Sequence, residues 1–154
     1  MIVYRSVKED FQSDVDSGNI DQIILEAFEK KLKRTTSKKE VESWWNSLQF
    51  MSRVINDDDI PDNAGIAIEC QIPQTSKRID FIISGSDENS INNVVIIELK
   101  QWNKAELSEK NGIIRTALGK GIHETSHPSY QAWSYAEMIQ DFSEIVREEN
   151  INLK

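Results

Sequence analysis

The chain predicts an α/β domain with a central mixed sheet flanked by helices, and three observations carry that prediction. Segments of helical period fill the first third of the chain, 6–17, 20–34 and 38–55. The centre, 65–118, turns to β character around the run Val94, Val95, Ile96, Ile97. Four consecutive branched aliphatics suit a strand covered on both faces. Helical spacing then returns over 128–147.

The first helix is expected to open with a capping box, Ser6 to Glu9, and to continue through Val7, Phe11 and Val15 until Gly18. Asn19 precedes the second, whose apolar stripe is Ile20, Ile23, Ile24, Phe28 and Leu32. Ser37 and Glu40 make another capping box, opening a third helix through Trp44, Leu48, Met51 and Ile55. Trp44 and Trp45 read as core and rim packing. The acidic stretch 57–63 is a loop without the ligand alternation or terminal Glu of an EF-hand. Residues 66–72 and 78–83 flank a Pro73–Ser76 turn, which suggests an antiparallel hairpin. Ile113–Thr116 is either a short strand or part of an irregular crossing. Ile151 to Leu153 alternates like the start of a further strand.

The 154 residues suffice for one domain with one proper core, and 38% hydrophobic with 29% charged residues is the balance of a soluble globular chain. No apolar stretch nears the roughly 20 residues that span a bilayer, and the first residues lack a secretory apolar core. A single cysteine, Cys70, excludes an internal disulfide and suits a reducing cytoplasm, so a cytoplasmic location away from membranes is expected. The net charge of −8 is awkward for a nucleic-acid binder. It is softened by uneven spread, with six cations between Lys30 and Lys39, although a solvated helix end explains those more readily.

Chemistry concentrates in the hairpin and the aliphatic run. Asp80 lies on the second hairpin strand, and Glu98 and Lys100 follow the run two positions apart, hence on one face. Charges at the end of a buried strand need compensation. A divalent cation between Asp80 and Glu98 would supply it, leaving Lys100 to face an anionic substrate. Two carboxylates can hold Mg²⁺ or Mn²⁺ for phosphodiester hydrolysis, and a lysine can position water or stabilise developing charge.

Asp80 with Glu98, Leu99 and Lys100 resembles the active site of the PD-(D/E)XK nuclease superfamily. The resemblance implies a restriction-endonuclease-like αβββα core across 1–154, DNA as substrate with RNA left open, and catalysis by Asp80, Glu98 and Lys100. Gln131 and Tyr135, at i,i+4 on the last helix, resemble the Q-x-x-x-Y motif of the RecB-type branch, which implies contact with the substrate backbone. Relatives carry an acid on an early helix, which implies Glu26 as a further metal ligand, with Glu69 a weaker substitute. Segments 72–83, 96–102 and 127–135 resemble the N-terminal region of bacterial Schlafen group 3-like DNA/RNA helicase-domain proteins. That likeness implies a helicase ATPase module in a longer protein and a final strand cut short at Ile151–Leu153. No G-x-x-x-x-G-K-[ST] occurs in this chain. A non-cleaving nucleic-acid-binding or helicase-docking module is the alternative.

His123, Glu124 and His127 spell H-E-x-x-H, which as a helix would bind zinc for hydrolysis. Gly121 before it and Pro128 after it argue against a helix. His127 is then expected at the start of the last helix, near the phosphate path.

Overall fold

The computed structural model describes residues 1–119 and 121–154. It is a mixed α/β arrangement. In chain order the elements are β1 (Ile2–Val7), α1 (Lys8–Asp16), α2 (Ile20–Leu32), α3 (Lys38–Ile55), β2 (Gly65–Gln71), β3 (Arg78–Ser86) and β4 (Asn92–Ile97). They continue with β5 (Ala105–Leu107), β6 (Ile113–Leu118), β7 (Gly121–Ser126), α4 (Pro128–Phe142), α5 (Glu144–Glu148) and β8 (Asn152–Leu153). One sheet has the order β1-β2-β3-β4-β8; the other is β5-β6-β7. The first sheet is antiparallel except for β8, which runs parallel to β4, so the expected mixed sheet is present. Among the described residues no helix is long and apolar enough to cross a membrane.

The expected hairpin forms as β2 and β3, paired from Gly65 opposite Ser84 to Gln71 opposite Arg78. The aliphatic run lies in β4 and is covered on both sides. Ile97 packs with the buried side chains of α1, α2 and α3, among them Phe11, Ile24, Phe28 and Leu48. Val94 and Ile96 pack with Tyr135 and Ala136 of α4. Two layers of helix therefore sandwich the sheet, and each layer takes one face of β4.

The N-terminus differs from the expectation. Residues 2–7 form a strand on β2, and the helix predicted for 6–17 begins at Lys8. The Ser6–Glu9 capping box does not form. Val7 is the N-cap, and the amides of Lys8 and Glu9 are taken by the carbonyls of Ala64 (2.8 Å) and Asp62 (3.1 Å). Tertiary acceptors replaced the local cap. At α3 the cap does form: Ser37 Oγ accepts from the Glu40 amide at 3.2 Å.

Three further boundaries are corrected. The second helix ends at Leu32, not 34, because Lys33 turns left-handed (φ 52°). The helix predicted over 128–147 breaks at Ser143, whose extended backbone closes α4 and whose hydroxyl caps α5. The sheet core predicted over 65–118 is two sheets. Ile113–Thr116 belongs to β6, between β5 and β7, and not to the central sheet. Of Lys30–Lys39, Lys31 is committed to the β1 carbonyls of Ile2 and Val3, and Arg34 lies over the Phe28 ring.

Candidate active site

The candidate residues gather where β3 and the end of β4 meet α3 and α4. Ile68 pairs with Phe81 and Cys70 with Ile79, which sets Glu69 opposite Asp80. Phe81 pairs with Ile97, so Asp80 in turn stands opposite Glu98, one step past the end of β4. Glu69 of β2, Asp80 of β3 and Glu98 just past β4 thus share one row across the sheet.

The regular alternation of the sheet breaks along this row. Phe81 and Ile68 pack against α1–α3, whereas Ile79 and Cys70, two positions away, pack toward α4. Glu69 carries the break in a left-handed backbone (φ 54°), a conformation costing a non-glycine residue roughly 1–2 kcal/mol. The carboxyl groups gain from it. Glu69 is turned toward α3, where it accepts from Trp44 Nε1 at 2.9 Å and pairs with Arg78 at 2.7 Å.

The same break shortens β4. The strand expected through Lys100 ends at Ile97, because the Leu99 amide donates to Asp80 Oδ2 at 2.9 Å and not to a strand carbonyl. A side chain has displaced a ladder bond. The Asp80 and Glu98 carboxyls are close enough for each to influence the other's ionisation. Glu98 Oε1 accepts from Lys100 Nζ and from Gln131 Nε2, and Gln131 also bonds the Tyr135 hydroxyl at 2.7 Å. The Glu98 side chain is only 3% exposed and that of Lys100 26%. Glu98 Oε2 is buried with no donor among the described residues.

Crowding two acids in a half-dry site penalises their charged forms. Burial, reinforced by the charge of Asp80, pushes the Glu98 carboxyl up to about 7 despite its bond to Lys100. Burial also raises Asp80, against the Leu99 amide and the Lys100 ammonium, which pull it down. Glu69 is raised by burial too, although Trp44 and Arg78 oppose the shift.

Asp80, Glu98, Lys100, Gln131 and Tyr135 are therefore brought together, and the remaining candidates are not. Glu26 lies on the exposed side of α2, turned away from the buried Ile24 and Phe28. It makes no ion pair or hydrogen bond to Asp80 or Glu98 among the described residues. The early-helix acid that does reach this region is Glu40 of α3, paired with Arg78 at 3.0 Å. Glu69 adjoins Asp80 but is committed to Trp44 and Arg78. His127 caps α4, with Nδ1 accepting from the Ser129 amide at 3.1 Å. H-E-x-x-H is extended, since His123 and Glu124 lie on β7 and pair across β6. Four residues of strand span about 13 Å, too far for His123 and His127 to share one zinc ion.

Two residues escaped the sequence reading. Arg78 bridges Glu40 and Glu69 and lies over the Phe28 ring at 5.5 Å. Glu40 was hidden by its capping role, which in the structure it fills only by its amide, its carboxylate going to Thr36 and Arg78. With Ser43 and Ser47 of α3, these residues, Asp80 and Lys100 line a polar cavity of about 240 Å³.

Comparison with protein-family models, with curated proteins and with solved structures found no match.

Proposed function

We propose that this domain is a metal-dependent nuclease that hydrolyses phosphodiester bonds of DNA. The observation that carries the reading is the facing pair Asp80 and Glu98, with Glu98 Oε2 buried and lacking a donor among the described residues. A buried carboxylate oxygen without a donor is costly, and a cation shared by the two carboxylates would relieve it. Among the described residues no three His, Cys, Asp or Glu side chains form a ready metal cage. Two carboxylates suit Mg²⁺ better than a closed cage does, because Mg²⁺ keeps waters and takes its remaining ligands from substrate phosphates. Asp80 and Glu98 would hold Mg²⁺ or Mn²⁺, which when bound polarises a phosphoryl oxygen and acidifies water.

The chain's own residues supply the rest. Gln131, backed by Tyr135, fixes the Glu98 carboxylate from the α4 side. The Leu99 amide fixes Asp80 from the strand side. Lys100 is held beside Glu98 and remains partly exposed, so its ammonium can meet a phosphate entering the cleft. The sequence of α3, three antiparallel strands, α4 and a parallel β8 supports a restriction-endonuclease-like core. A helicase ATPase in a longer protein remains part of the same proposal, on the resemblance alone.

One observation favours the non-cleaving alternative: Lys100 is paired with Glu98 and not free. Labelled DNA incubated with Mg²⁺ or Mn²⁺ decides between the two. Cleavage by wild type, lost in Asp80→Ala and kept in His123→Ala, is the expected result. Cleavage that survives Asp80→Ala sinks the assignment, and DNA binding without cleavage leaves the docking module.

A further inference from the structure

We propose that the groove between α3 and residues 99–103 is a subsite for unpaired nucleobases, and that the substrate is single-stranded DNA. The inference rests on the nuclease reading and names its substrate class. Ser47, Leu99 and Lys100 line both the polar cavity at Asp80 and a second cavity of about 510 Å³ that continues along α3. A strand with its phosphate at Lys100 therefore has its neighbouring nucleotide directed into this groove.

The walls match a base. Phe50 is 65% exposed on the groove side of α3, and half-buried Trp102 lines the same groove. Asn46 and Asn103 also line the groove, and amides can pair with the donor and acceptor edges of bases. The width is set before anything binds. Gln101 donates to the Ser43 carbonyl (2.7 Å) and to Ser47 Oγ (2.9 Å), tying the 99–103 segment to α3. Arg53 lies over the Phe50 ring at 5.8 Å and adds positive charge beside it.

Charge selects the form of the nucleic acid. The chain carries 26 acidic residues, yet among the described residues no acidic side chain lines the groove and Lys100 is its one charged lining residue. With a net charge of −8, attraction to phosphates can contribute little affinity. Contacts to bases must then supply it, and an aromatic wall can stack only on a base whose face is not already covered in a duplex.

The test measures anisotropy of labelled oligonucleotides on the whole chain, with chelator present so that nothing is cut. Single strands should bind more tightly than the duplex of the same sequence. Phe50→Ala, an exposed position that should leave the fold intact, should weaken single-strand binding about tenfold. Trp102→Ala should act in the same direction. A single abasic nucleotide, walked along the strand, should weaken wild-type binding at one position and have little further effect on Phe50→Ala. Equal affinity for duplex and single strand, with Phe50→Ala unchanged, overturns the subsite. That result is distinct from failure of the nuclease reading, which shows as metal-dependent cleavage that persists in Asp80→Ala.

Discussion

Glu98 and Lys100 are two residues apart and perform opposite electrostatic tasks. Glu98 is almost fully enclosed, while Lys100 holds one of its oxygens and still reaches solvent. A lysine acting on the transition state is worth about 10²–10³ in rate. Lys100→Ala should therefore remove most cleavage at saturating DNA while leaving affinity within a few-fold, as single-turnover kinetics would read. The Glu98 carboxyl also makes a statement about stability. Its value is raised from 4.5 to about 7 on folding, so the folded state binds the extra proton between those limits. The contribution is fully present below about 4.5 and is lost as pH rises through about 7. In chelator, the melting temperature of Glu98→Gln should vary less with pH across this window than that of wild type. A wild-type profile that climbs over the same interval, relative to the variant, would show the sign to be wrong.

Elements were legible where local pattern and tertiary environment agreed. The hairpin, the aliphatic strand and the bulk of all three early helices follow from periodicity, and Asp80, Glu98 and Lys100 follow from charges interrupting an apolar run. Ser6 shows where this stops. Its capping box is as good as that of Ser37, yet Ile2–Val7 pairs along β2 and the α1 amides find the loop carbonyls of Asp62 and Ala64. Only the folded chain brings those acceptors to α1. Two substitutions measure the difference by urea unfolding. Ser37→Ala should cost about 1 kcal/mol through its lost cap, and Ser6→Ala should lose no cap contribution. Arg78 and Glu40 were illegible for a related reason: their meeting depends on α3 crossing β3, a contact between residues 38 positions apart. H-E-x-x-H fails in the reverse direction, because β6 recruits His123 and Glu124 into a strand.

For the molecule as a whole, the site sits on the seam between two helical layers. Asp80 and Glu98 come from the sheet, Gln131 and Tyr135 from the α4 layer, and Arg78 with Glu40 from the α3 side. A cation bound at the seam would oppose unfolding of the entire domain. Saturating Mn²⁺ should raise the melting temperature, by the equivalent of about 2.7 kcal/mol at a hundredfold excess over its dissociation constant. Asp80→Ala should abolish the rise. A rise undiminished in that variant would place the cation elsewhere.

The bond from the Leu99 amide to Asp80 Oδ2 also gives the protein a native spectroscopic reporter. Hydrogen exchange at that amide and its ¹⁵N resonance both depend on how much negative charge Asp80 offers. A nucleus in the main chain, beside the carboxyl pair and outside it, therefore registers each change in the Asp80 carboxylate. Titrating Mg²⁺ or an oligonucleotide against the isotope-labelled chain can then follow the site without substituting any of its residues.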